Sequence, residues 1–420
     1  MRPSRLFLAT MLVAGACTED VTAPGQCPDF PDFCPGGQIT VIDTVLRGVI
    51  ARDSAYRGFV LPHEAAAMLA ADLPGLVDSR PVFRTLALQT RIRVGSDTLT
   101  GLILSYDSAQ LKLIITRRDT AAHNLTLRLY RLPLALDSAT TFAGLAAPFA
   151  DSLLRTVNVD SLIAKPGKKD PVTRDSIRVD SIANRLEVLI HLDTAQARFA
   201  AADSGKVAYG VRVSADTLAS IALGSLEGGA NPLLTWFVTA DSGGVATARR
   251  PLVRGVSFDG FVFDPPPAAL DSTLAVGGVS SARSLLRMAI PRAIRDSAQI
   301  VRATLLLVPA AAAQGVPADS FFLAAHGVDA DFGGKSPLAA DSSRRGSVRV
   351  RIGQSDTVRI DLTRLLRIWS FDTTATTAVM LRAVPEGGTF AEIRFQPSSN
   401  ATYRPALHLT YVPRFPFGAP

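Results

Sequence analysis

The chain is poor in the residues that usually carry chemistry: three cysteines, two tryptophans and five histidines among 420 residues. The histidines, His63, His123, His191, His326 and His408, are dispersed, and none shows metal-ligand spacing. A serine-hydrolase elbow is missing, because Gly255-Val-Ser-Phe-Asp-Gly260 has one residue too many for Gly-x-Ser-x-Gly. There is no basic stripe either. The net charge is +7, yet the arginines stand among aspartates, as in Arg117-Arg118-Asp119 and Arg174-Asp175. That is a solvated mixed-charge surface, not a nucleic-acid interface. No catalytic residue, cofactor or nucleic-acid partner is expected on these grounds.

One apolar run stands out, at the start. Arg2 and Arg5 precede Leu6–Ala14, which leads into Ala14-Gly15-Ala16-Cys17. The run is too short for a stable membrane span, and no later stretch reaches membrane length. It resembles a bacterial lipoprotein signal, with Ala14 where leucine is usual. The resemblance implies removal of residues 1–16 and lipidation of Cys17, so the membrane is a partner through a lipid anchor. Thr18 after the cysteine favours the outer membrane, facing the periplasm or the surface. The alternative is a plain secretory peptide. Residues 17–38 read as a tether, in which Cys27 and Cys34 enclose six residues, two of them proline. A disulfide suits that spacing in an oxidising compartment; two thiols without a nearby histidine make a poor zinc pair.

Beyond the tether the chain reads as all-β, with 47% hydrophobic and 19% charged residues, enough for two packed cores. Apolar and polar residues alternate over Ser105–Thr116, Asn124–Arg131, Arg185–Asp193, Val207–Val213, Pro232–Thr239, Ser347–Ile352, Thr357–Leu362, Ala378–Ala383, Ala391–Phe395 and Ala406–Val412. Asp-Ser and Asp-Thr pairs, such as Asp107-Ser108, Asp137-Ser138, Asp193-Thr194 and Asp296-Ser297, predict turns between strands. Helix is predicted only over Glu64–Ala71 and Thr363–Ser370. The halves match in order: Tyr106–Thr116 with Arg295–Leu305, Tyr209–Val213 with Met380–Val384, and Asn231–Val238 with the closing Arg404–Val412. This predicts two tandem antiparallel β-sandwich, jelly-roll-like modules at 39–239 and 251–413, with a linker at 240–250 and a tail at 414–420.

Within the second module, Arg283-Ser-Leu-Leu-Arg-Met-Ala-Ile-Pro291, Asp296–Leu307, Val358–Trp369 and Arg404–Tyr411 follow one another in a telling order. With these motifs, residues 284–413, about a third of the chain, resemble the DNRLRE-type domain. This is a jelly-roll module of bacterial surface proteins, some of whose members bind alginate or related polysaccharides. The first module departs from the pattern, with an insertion around Lys165–Pro171. The resemblance implies a non-catalytic binding or structural protein of the cell envelope, with acidic polysaccharide as the leading ligand. The alternatives are an accessory polysaccharide-degrading enzyme, although the Gln-x-His strand of some jelly-roll lyases is missing, and a purely structural envelope component. Trp236 and Trp369 fall at core positions. Phe332, Phe371, Tyr403 and Arg404 sit in loop-like stretches and are the ligand candidates, Arg404 for a uronate carboxylate. Asp329 and Asp331, in the glycine-flanked stretch after His326, are weak calcium candidates; without further acidic ligands an ordinary exposed loop accounts for them better, and no metal is expected.

Overall fold

The computed structural model describes residues 41–92, 101–242, 245–317, 319–331, 339–372 and 374–413. Among these the chain is mostly strand, and every named strand pairing is antiparallel. The strands begin with β1 (Ile42–Leu46) and β2 (Ile50–Arg57). Next come β3 (Ala67–Leu73), β4 (Val77–Thr85), β5 (Arg91–Ile92), β6 (Gly101–Arg118), β7 (Thr126–Leu132), β8 (Leu153–Asn158), β9 (Ser176–Asp180), β10 (Arg185–Leu192), β11 (Ala208–Ser214), β12 (Ala219–Gly224) and β13 (Leu233–Ser242). Then follow β14 (Val245–Arg254) and β15 (Val256–Asp264). The last are β16 (Leu274–Gly277), β17 (Ala282–Met288), β18 (Ala298–Leu307), β19 (Ser320–Ala330), β20 (Ala339–Arg351), β21 (Val358–Asp361), β22 (Ala378–Val384), β23 (Glu392–Phe395) and β24 (Ala406–Pro413). The helices are short: α1 (Ala146–Asp151), α2 (Val159–Ile163), α3 (Arg292–Arg295) and α4 (Thr363–Phe371).

The alternating runs become strands because one side of each meets a core while the other meets water. In β6 the inward residues Leu111, Leu113 and Ile115 are buried together with Trp236 and Val238 of β13. In β18 the matching role falls to Ile300, Ala303, Leu305 and Leu307. Helix α4 starts where the Asp361 carboxylate accepts from Thr363 N–H at 2.7 Å, an Asx-type start. It buries Leu365, Leu366 and Trp369 on one side.

Two local expectations fail. Glu64–Ala71 is not a helix: residues 61–66 form a turn and Ala67–Leu73 is β3. Its alanines favour helix intrinsically. However, Met68, Leu69, Ala70 and Ala71 are all buried, so both faces are covered, and the segment pairs along Ala219–Gly224. A strand between two layers hides both faces, and tertiary packing overrides the propensity. The Asp107-Ser108 pair is not a turn between strands but lies inside β6. Ser108 faces Phe237 and Tyr106 faces Val238, so Asp107 is the extra residue of a β-bulge.

The two halves repeat the same strand pairings. In the first sandwich β6 lies between β13 and β10, and β3–β4–β11–β7–β8 runs alongside, with β12 against β3. In the second, β18 lies between β24 and β21, and β16–β17–β22–β19–β20 runs alongside, with β23 against β16. The first sandwich joins its layers through β6 and β12 into one curled sheet.

Each sandwich is completed by two further strands, and these correct the expected boundaries. Strand β14 extends β13 and β15 covers β4, so residues 245–264 finish the first sandwich. The stretch expected as a linker at 240–250 falls instead in the β13–β14 pairing, where Ala240, Asp241 and Ser242 face Thr247, Ala246 and Val245. The same two places in the second sandwich are taken by β1 against β24 and β2 against β17. The chain's first strands thus leave the expected module at 39–239 and close the expected module at 251–413. Val49 and Ile50 join the second core, Arg57 pairs with Glu392 at 2.8 Å, and Asp43 holds His408 at 2.9 Å.

One buried carboxylate makes the first sandwich sensitive to pH. Asp259 on β15 is 3% exposed and accepts from Leu226 N–H at 2.8 Å. Burial pushes its carboxyl up to about 6, and the charge of Glu227 adds to this. The folded value lies above the ordinary one, so the folded state holds the proton more tightly. Stability is therefore lost as pH rises from about 4 through about 6. Asp259→Asn keeps an acceptor and removes the charge. It is expected to stabilise by about 2–3 kcal/mol at pH 8 and by almost nothing at pH 4, read by urea denaturation at both values.

Candidate functional site

The residues chosen from the sequence do not assemble a pocket. Cys17, Cys27, Cys34 and Phe332 lie outside the described residues, as does the 414–420 tail. Asp331 is committed to Arg287, whose guanidinium donates to both carboxylate oxygens at 2.5 and 2.9 Å. Asp329, half exposed, faces Arg344 at 3.7 Å. Calcium requires several oxygens whose charge is not already answered. Here each carboxylate faces an arginine, and among the described residues no group of three or more His, Cys, Asp or Glu side chains is placed to hold a metal. The stretch from His326 to Ala330 belongs to β19, with the His326 ring buried beside Arg382 and the Asp341 carbonyl. Tyr403 is exposed in a turn where Asn400 accepts from the Thr402 and Tyr403 N–H groups. Arg404 follows it, half buried. Phe371 is exposed at the end of α4. Trp236 and Trp369 are each 2% exposed, at the core positions expected of them.

A recess in the first sandwich brings together residues far apart in the chain. Tyr106 comes from β6, Trp236 from β13 and Phe199 from the connection between β10 and β11. Their rings meet edge to face: Tyr106 and Trp236 at 5.4 Å, Phe199 and Trp236 at 5.5 Å, Tyr106 and Phe199 at 5.2 Å. With Thr194 and Arg198 they line a cavity of about 660 Å³. Burial raises the Tyr106 phenol, which stays neutral at physiological pH. The indole Nε1 of Trp236 is buried and has no acceptor among the described residues. A buried donor left unmatched costs about 1–3 kcal/mol.

The connection that supplies Phe199 is fixed by its own backbone. Asp193 and Gln196 cap one another, at 2.8 and 3.1 Å. Thr194 Oγ1 donates to the Asp107 carbonyl at 2.8 Å, and Arg131 donates to the Arg198 carbonyl. The bulge at Asp107 thus anchors the loop that frames the recess. The Arg198 side chain is exposed at the mouth. It is shared with a second recess of about 380 Å³ flanked by Arg131 and Gln196.

Another cleft, of about 450 Å³, lies between the sandwiches, lined by Phe263, Pro265–Pro267, Phe390, Glu392 and Arg394. Its charges already answer one another. Glu392 accepts from Arg57 and from Arg394, both at 2.8 Å, and Arg394 reaches Asp271 at 3.3 Å. Such saturation leaves little for a ligand to satisfy, and the aromatic recess is the better site. No family model matches the chain, and no curated protein matches it.

Proposed function

We propose that the protein is an exported, lipid-anchored envelope protein that binds acidic polysaccharide without cleaving it, and that the aromatic recess of the first sandwich holds the sugar. The observation that carries this reading is a recess lined by Tyr106, Phe199 and Trp236, whose buried indole N–H has no acceptor among the described residues. Sugar rings present C–H faces that pack against aromatic rings, and a sugar oxygen admitted beside the indole would satisfy its buried N–H. Arg198 at the mouth suits a uronate carboxylate, through a charge-assisted pair. Export and anchoring rest on the basic-apolar-Cys17 start of the chain.

Mature protein titrated with alginate, pectate and a neutral glucan is expected to bind the acidic polymers, less tightly at high salt. Trp236→Phe keeps the ring contacts and removes the donor; about a tenfold loss is expected. Arg198→Ala should lose about as much and flatten the salt dependence. If Tyr403→Ala or Arg404→Ala carries the loss instead, the site lies on the second sandwich. Shortened chains or new unsaturated ends would mean an enzyme. In the same cells, Cys17→Ala should release the protein from the membrane fraction and abolish lipid labelling; labelling that persists overturns the anchor.

A further inference from the structure

The second sandwich is joined to the rest of the molecule in two ways. One is covalent, the passage from β15 to β16 through Pro265-Pro266-Pro267-Ala268-Ala269-Leu270. The other is not, and is far larger. It includes the consecutive strands β1 and β2, paired with β24 and β17 in the two different sheets of the second sandwich, and an apolar seam in which Val316 meets Ala71, Leu73 and Val77. Phe390 lies across this seam against Phe261 and Phe263, with ring centroids 6.3 and 6.4 Å apart. Arg117 reaches Asp319 at 3.5 Å. None of these contacts requires the two parts to belong to one chain.

We propose that this seam also forms between two copies, by reciprocal exchange of second sandwiches: residues 41–264 of one copy close residues 272–413 of the other. The partner is a second copy of this chain, because this chain itself carries both the completing strands and the seam that fit. The passage is built as a hinge. Pro265, Pro266, Ala268 and Ala269 are exposed, and proline triplets favour an extended path over a turn. Among the described residues no backbone–backbone hydrogen bond lies within it; the Arg394 side chain donates to the Ala268 and Ala269 carbonyls at 3.3 and 3.2 Å. Cavities of about 450 and 720 Å³ flank it, both lined by Pro267 and Ala268, so little packing is lost when it swings out. Exchange reproduces every contact of the seam and alters the hinge alone, which is why it is a low-cost route to a dimer. A dimer would carry two aromatic recesses. On the glycan reading above, that raises weak single-site affinity through avidity.

The test uses full mature chain in which Cys17, Cys27 and Cys34 are serine. One preparation carries Val45→Cys and another His408→Cys, positions that face each other in the β1–β24 pairing. Refolded together at high concentration, they should form a disulfide between chains, with a dimer mass by light scattering. Removing Pro266–Ala268 should prevent closure within one chain and raise the dimer share at least tenfold, whereas six inserted Gly/Ser residues should return it to monomer. Monomer alone at every concentration, or a shortened hinge that leaves the monomer share unchanged, overturns the proposal. Neither outcome depends on glycan binding, so the two readings fail separately.

Discussion

A fragment from Leu252 to Pro413 is expected to show no cooperative unfolding transition, although it contains the entire second repeat. It lacks β1 and β2, so the hydrogen-bonding edges of β24 and β17 are bare. Its core loses Val49 and Ile50, and Glu392 loses its partner Arg57. Meanwhile β15 comes along without the β4 strand that covers it, leaving the buried Phe261 and Val262 to water. Each fault is of the kind that costs a marginally stable domain a large part of its stability. Circular dichroism over a urea series checks this. Residues 41–264 supplied separately should restore a cooperative transition. A sharp transition by the fragment alone would mean that β1 and β2 are dispensable.

Trp369→Ala is expected to destabilise the protein by about 3–5 kcal/mol, as other large-to-small core changes do. The indole lies on the inner side of α4 with Leu365 and Leu366, against the β18 residues Ile300, Ala303 and Leu305. The helix itself is held at its start by Asp361 and along its length by Arg367, which donates to the Ile300 and Val301 carbonyls at 3.0 and 3.1 Å. With its backbone held in this way, α4 cannot readily sink to fill the cavity. Two residues on, Phe371 is 81% exposed, and its change to Ala should cost less than about 0.5 kcal/mol. Guanidinium denaturation of both variants separates a core indole from a surface one; a small cost at Trp369 would make it a ligand platform instead.

Strands were legible in the sequence where one face is buried, since a period of two is then written in the residues. Leu127, Leu129 and Arg128 in β7 are such a case, two buried and one exposed. The Ala65–Ala71 run was not legible, because a segment covered on both faces has no period to show. Nor does alternation say which strand lies beside which. Strands β1 and β24 are some 360 positions apart, and no local rule connects them. One signal does mark the exchange: Arg47-Gly48-Val49 and Arg254-Gly255-Val256 stand at the same bend, between the two completing strands of each sandwich. The recess was hidden for a related reason. Trp236 was readable as core, but Phe199 is drawn to it by a loop whose anchors, Asp107 and Arg131, come from other strands. Asp329 and Asp331 looked like cation ligands because the arginines that neutralise them lie elsewhere in the chain.

The β1–β24 pairing also sets a clock on synthesis. A ribosome that has finished Leu46 must add about 360 residues before Ala406, the start of the matching strand, exists. At roughly 5–20 residues per second this takes about 20–70 seconds. The first sandwich can close during that interval, since β3 to β15 are contiguous. The opening strands β1 and β2 cannot, and they wait with unpaired edges that invite association with other nascent chains.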